Sequence, residues 1–113
     1  MVYEIRNYHF EPSRLEAYKA WARDRAMPCL KRNLNVIGFW VNTTPAPEVT
    51  GRPMDPLGSS NITWIIGWND LSKRKTTLDS LFASPEWVEI FKDVPGGIAS
   101  YLRIECKFAE SLT

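Results

Sequence analysis

Residues 62–68, with the sequence ITWIIGW, decide the fold of this chain. Alternate side chains of a β-strand point to opposite faces of its sheet. Ile62, Trp64 and Ile66 therefore share one face, and Ile65 lies on the other. A strand that is apolar on both sides predicts a sheet that is covered on both sides.

Further elements are recognised outward from this strand. Apolar residues recur at helical spacing from Leu15 to Cys29, and Pro28 predicts a kink in the last turn of that helix. The expected elements are strands over Val2–Phe10, Val36–Val41, Ile62–Trp68 and Tyr101–Phe108, one helix after the first strand, and a second helix from Leu71 that restarts at Pro85. The order β-α-β-β-α-β predicts an α+β, ferredoxin-like domain with a four-stranded antiparallel sheet.

Two helices cover only one face of such a sheet. The second strand carries Val36 and Trp40 against Ile37 and Phe39, so it is also apolar on both faces. A second copy of the chain is the simplest cover for the remaining face. The residues alone thus predict a homodimer.

Composition excludes several classes of function. The chain has 113 residues, which suits one domain over 1–113, and its net charge of +1 includes no basic stripe for nucleic acid. We expect a cytoplasmic protein with no membrane partner, since the chain shows neither a leader pattern nor an apolar run of membrane-spanning length. No metal-ligand cluster, phosphate loop or nucleophile elbow is present, so we expect no metal site.

Several motifs resemble those of the NIPSNAP family. They are Tyr3-Glu-Ile-Arg6 with Tyr8 and Pro12, Pro28-Cys-Leu30, Gly38-Phe-Trp40, Gly67 to Arg74, and Ala83-Ser-Pro-Glu-Trp87. The resemblance spans nearly the whole chain and implies a dimeric α/β barrel. That superfamily includes cofactor-free oxygenases, cyclases, lactone isomerases and haem enzymes, whereas animal NIPSNAP proteins resemble binding or scaffold proteins.

Strand parity suggests a catalytic group. In the last strand the apolar set Leu102, Ile104, Cys106 and Phe108 is expected to face the helices. In the first strand the matching set is Tyr3, Ile5, Asn7 and His9, so His9, the only histidine, should face the cavity. We interpret His9 as a general base, with Tyr3 and Asn7 as hydrogen-bond donors to the substrate.

The opposite face of the same strands is predicted to carry charge. Glu4 and Arg6 would there oppose Arg103 and Glu105 as a cross-strand ladder. Such a ladder would support strand register and the dimer interface, or would bind an anion inside the barrel.

Aromatic residues are abundant and suggest the walls of a substrate pocket. The candidate substrate-binding residues are Tyr18, Trp21, Trp40, Trp64, Trp87 and Phe91. A well-filled aromatic core is the alternative explanation for each of them.

The sequence thus leads to two functional hypotheses. The first is a cofactor-independent enzyme that isomerises, cyclises or oxygenates a small hydrophobic, aromatic or polyketide-like molecule. The second is a non-catalytic ligand-binding or scaffold protein. Haem bound through His9 is an alternative to the absence of a cofactor.

Overall fold

The computed structural model describes residues 1–113. Its strands are β1 (Val2–Phe10), β2 (Val36–Val41), β3 (Ile62–Trp68) and β4 (Tyr101–Ala109), and its helices are α1 (Leu15–Trp21), α2 (Met27–Asn33), α3 (Arg74–Phe82) and α4 (Pro85–Phe91). Short 3-10 turns precede α1, α3 and β4. The predicted strand and helix order is confirmed.

The four strands form one antiparallel sheet in the order β2-β3-β1-β4. Strands β2 and β3, which follow each other in the chain, pair directly, and β1 lies between β3 and β4. This is the ferredoxin-like arrangement expected from the sequence. No helix of the fold has both the length and the apolar character that crossing a bilayer requires.

The first long helix is interrupted between α1 and α2. Residues Ala22–Ala26 form a π-helical turn, in which Met27 donates its backbone N–H to the carbonyl of Ala22. Pro28 follows at the start of α2 and has no N–H to donate to the preceding turn. The wider turn accommodates this missing hydrogen bond, so the kink expected at Pro28 takes the form of a π-bulge just before it.

One face of the sheet packs under the helices and forms the core. Ile62, Trp64, Ile66 and Trp68 of β3 are all buried on this face. The β1 residues on the same face are Glu4, Arg6, Tyr8 and Phe10, as the pairing of Tyr8 with Ile62 and of Arg6 with Trp64 shows. We call it the helix face, and the other side of the sheet the open face.

The predicted orientation of β1 is wrong. Tyr3, Asn7 and His9 lie on the open face, because the even-numbered residues of β1 face the helices. The misleading residues were Glu4 and Arg6, whose charges suggested a solvated face. Glu4 is buried and Arg6 is largely buried because they form an ion pair and bind further partners on the helix face.

The predicted charge ladder between β1 and β4 is also wrong. Glu4 pairs with Phe108 and Arg6 pairs with Cys106, so the charged residues of β1 lie opposite the apolar set of β4. Ile104 and Phe108 do face the helix side as expected, but they lie on an edge strand and are exposed in the single chain.

The open face is apolar near β2. Trp40 is 54% exposed and Ile37 is 46% exposed in the single chain. The Trp40 ring lies so close to Gly38 that a Cβ at that position would be 2.2 Å from it. Residues 42–61 cover the other end of this face, where Arg103 binds Asp55 and donates to the carbonyl of Gly58 at 2.8 Å.

Candidate functional site

A cavity of about 510 Å³ lies between the helix face of the sheet and the helices. Fourteen of its sixteen lining residues are hydrophobic. The lining residues are Arg6, Tyr8, Tyr18, Trp21, Ala26, Leu30, Phe39, Trp64, Phe82, Trp87, Val88, Phe91, Lys92, Ile98, Tyr101 and Ile104. Its volume lies within the range of small-molecule sites.

Aromatic rings supply most of the walls. On one side the Phe39 and Trp64 rings stack with centroids 5.4 Å apart. On another, Phe91 stacks on Trp87 at 5.9 Å and on Tyr101 at 6.1 Å. The planes of each pair lie within 30° of parallel, so these walls of the cavity are flat and apolar.

Two polar groups of β1 reach the cavity wall. Arg6 donates from Nε to the hydroxyl oxygen of Tyr8 at 2.8 Å, and Trp64 donates from Nε1 to the same oxygen at 2.9 Å. Both partners are donors only, so they occupy the two lone pairs of the Tyr8 hydroxyl. The Tyr8 hydroxyl hydrogen has no acceptor within the chain and is free to donate to a ligand.

A buried carboxylate fixes the position of Arg6. Glu4 is 0% exposed and accepts from Arg6 Nη1 at 2.7 Å. It also accepts from Trp68 Nε1 at 2.9 Å, and from Nε and Nη2 of Arg74 at 2.6 and 2.9 Å. Burial opposes the ionised form of Glu4, but the hydrogen bonds from Arg74, Arg6 and Trp68 outweigh it and lower the pKa of the carboxyl group.

The phenols at the site remain protonated at neutral pH. Burial raises the pKa of Tyr8, against the opposing influence of Arg6. Burial also raises the pKa values of Tyr18 and Tyr101, and the neighbouring phenol of Tyr101 adds to the effect on Tyr18. The Tyr8 hydroxyl therefore keeps its hydrogen and is able to donate it in a hydrogen bond.

Five of the six predicted aromatic residues lie around this cavity. The five are Tyr18, Trp21, Trp64, Trp87 and Phe91. The sixth, Trp40, lies on the open face, because its neighbour Phe39 takes the helix side of β2. Whether any of these residues binds a substrate stays a prediction.

The predicted catalytic residues do not reach the cavity. His9 Nδ1 donates to the carbonyl of Ser59 at 3.0 Å. The Asn7 amide oxygen accepts from Thr63 Oγ1 at 2.7 Å, and Asn7 Nδ2 lies 3.4 Å from a carboxylate oxygen of Glu105. Catalysis by His9, Asn7 and Tyr3 stays a prediction, but it would require a second site on the open face.

Sequence reasoning missed Arg6, Tyr8 and Tyr101 as cavity residues. One signal was present: the even-numbered positions of β1 end in Tyr8 and Phe10, which are larger and more apolar than Asn7 and His9. Giving those two residues more weight than the charges of Glu4 and Arg6 would have oriented the strand correctly.

Comparisons with known proteins agree with this architecture. A structure of a NIPSNAP domain protein from Burkholderia xenovorans matches with a TM-score of 0.73 and 14% identity, covering 98% of this chain and 94% of that one. A NIPSNAP family protein of unknown function from Agrobacterium tumefaciens matches with a TM-score of 0.74 and 22% identity, covering 96% and 86%.

A more distant fold neighbour is a putative antibiotic biosynthesis monooxygenase from Bacteroides thetaiotaomicron, with a TM-score of 0.58 and 13% identity over 99% and 90% of the two chains. At these identities the structural matches establish the fold. No curated protein matches the chain. The NIPSNAP family model matches residues 3–101. This chain belongs to the NIPSNAP family.

Proposed function

We propose that the chain binds a flat, largely apolar small molecule in the aromatic cavity, with an oxygen of that molecule held by the Tyr8 hydroxyl. The free hydroxyl hydrogen of Tyr8 carries the proposal, because a buried donor without an acceptor is costly and a ligand oxygen would satisfy it. The stacked walls and the cavity volume support the shape and size of the ligand. This binding needs no metal or cofactor.

Filling the cavity should abolish this binding. Ala26 is buried and lines the cavity, so Ala26→Leu introduces a larger side chain beside the site. We expect the affinity for the neutral fluorescent probe N-phenylnaphthylamine to fall at least about tenfold, measured by probe emission and by quenching of the cavity tryptophans. Ala20→Leu, on an exposed position of α1, is the matched control. Equal affinities for the two variants would contradict binding in this cavity.

Cofactor-independent acid–base chemistry is the second candidate function. The Tyr8 donor favours it, because a donor aimed at a ligand carbonyl also stabilises the oxyanion that forms when a neighbouring C–H bond breaks. No aspartate, glutamate or histidine lines the cavity, so the released proton would pass to water. The antibiotic biosynthesis monooxygenase among the fold neighbours supports this candidate only by analogy of fold.

Exchange of carbon-bound hydrogen tests this chemistry without a known substrate. β-Tetralone in deuterium oxide would lose a proton next to its carbonyl, hold the electron pair on oxygen as an enolate, and regain a deuteron. We expect the wild-type protein to accelerate the exchange seen by proton NMR, and Tyr8→Phe to lower that rate about a hundredfold. His9→Ala is the comparison variant. Loss of exchange in His9→Ala with retention in Tyr8→Phe would move the chemistry to the open face.

We also propose that two copies pair through the open face. Tyr3, Ile5, Ile37, Trp40 and Ile65 form an apolar surface there that the helices of the same chain do not cover. A homodimer would bury this surface twice by symmetry. A haem bound by His9 would have to lie on this face, separate from the aromatic cavity.

A further inference from the structure

Arg6 and Tyr8 form the polar end of the cavity. One positive charge at this end is not compensated by a carboxylate. Glu4 is the one carboxylate bound to the two guanidinium groups of Arg6 and Arg74. The guanidinium carbon of Arg74 lies 5.0 Å from the centre of the Phe108 ring. The Arg74 side chain is 30% exposed, so water partly hydrates its charge. The Arg6 side chain is only 12% exposed. The surplus charge is therefore least hydrated at Arg6.

Arg6 also has unused hydrogen-bond donors. Its guanidinium has one N–H on Nε and two on each terminal nitrogen. Nε binds Tyr8 and one N–H of Nη1 binds Glu4, so the second N–H of Nη1 and both of Nη2 have no acceptor in the chain. The Trp64 and Tyr8 rings lie 5.4 and 5.7 Å from the guanidinium carbon, and the side chain is mostly buried between them and the sheet.

We infer that the ligand of the cavity is an anion: a flat apolar body that carries a single carboxylate or a comparable negatively charged oxygen group. This inference rests on the proposed function and specifies its ligand. The anion would accept from the unused N–H groups of Arg6 and from the Tyr8 hydroxyl, and would balance the surplus charge. Hydrogen bonds between charged partners in a water-poor site are strong, so the charge should contribute much of the affinity.

Lys92 is the other cation among the cavity residues. Its ammonium group binds Glu89 at 2.7 Å, and its side chain is largely exposed. An exposed and already paired lysine offers a ligand little electrostatic attraction. The selectivity for an anion should therefore depend on Arg6 and not on Lys92.

Two probes that share one ring frame test the inference. Anilinonaphthalene sulfonate carries a negative charge that N-phenylnaphthylamine lacks. We expect the wild-type protein to bind the sulfonate about ten- to a hundredfold more tightly than the neutral probe. In Arg6→Met this preference should disappear while the neutral probe still binds, and in Lys92→Met the preference should persist. Arg6→Lys, which keeps the charge but not the planar donor group, should retain part of the preference.

The outcomes separate the two proposals. If neither probe binds to the wild-type protein, the proposed function fails. If the neutral probe binds and the sulfonate has no advantage, the ligand is not an anion but binding in the cavity stands. Persistence of the preference in folded Arg6→Met, or its loss in Lys92→Met, would also overturn the inference. The wild-type comparison of the two probes decides the matter even if Arg6→Met does not fold.

Discussion

Glu4→Gln is expected to lower the free energy of unfolding by about 3–5 kcal/mol, because it removes the only anion that binds Arg6 and Arg74. The glutamine amide can accept hydrogen bonds through its oxygen, but its NH₂ group would face guanidinium N–H donors. The two arginines would then repel each other in a site from which water is largely excluded. For a domain of this size the loss is a large share of the total stability.

Urea unfolding followed by tryptophan fluorescence measures this loss. The matched control is Glu16→Gln, since Glu16 is exposed and its partner Lys19 lies one turn away on the same helix. We expect the control to change stability by less than about 0.5 kcal/mol. A loss below about 1 kcal/mol for Glu4→Gln would contradict the buried charge cluster.

The stability of the folded chain should also depend on pH through the ionisation of Glu4. The pKa of Glu4 in the folded chain is lowered from its ordinary value of 4.5. The stabilisation is therefore complete above that value and is lost as the pH falls through the lower, folded pKa. Between acid and neutral pH, Glu4→Gln should show a weaker dependence than the wild-type protein. The residual dependence should come from carboxylates such as Asp24, Asp55 and Asp70, whose pKa values are also lowered.

The elements of the fold were predictable because local patterns determine them. Strands β2 and β3 were recognisable from apolar residues on both faces, and the helical connections from apolar spacing and from Pro85 after Ser84, whose side chain caps α4. These signals lie within each segment. The order of these segments then predicted the ferredoxin-like topology, which the observed strand order confirms. The family match over residues 3–101 confirms the family resemblance of the motifs.

The polar end of the cavity was not predictable from local patterns. Glu4 is buried only because Trp68 and Arg74 converge on it from the end of β3 and from α3. A charged residue in a strand ordinarily indicates the solvated face, and nothing within β1 reveals partners so distant in the chain. The aromatic walls were easier to identify, since Trp21, Trp64 and Trp87 belong to apolar faces that any packing of these helices on this sheet would bring together.

Trp40→Asp is expected to convert the proposed homodimer into a monomer. Trp40 is 54% exposed in the single chain and lies on the edge strand β2, where its ring packs over Gly38 on the open face. Burying the exposed half of an indole would contribute about 2 kcal/mol in each copy. Because the dimer would be symmetric, both copies lose this contribution, and the dissociation constant should rise about a thousandfold. The unpaired carboxylates should weaken the dimer further.

Sedimentation velocity over a range of protein concentrations measures this change. Ile98→Asp is the matched control, because Ile98 is 67% exposed but lies at the cavity, on the helix side of the sheet. It should leave the dimer intact, although it alters an apolar residue that is even more exposed than Trp40. Retention of the dimer in Trp40→Asp together with its loss in Ile98→Asp would place the interface on the helix side. The mouth of the cavity would then be covered by the second copy, and access of the ligand would depend on dissociation of the dimer.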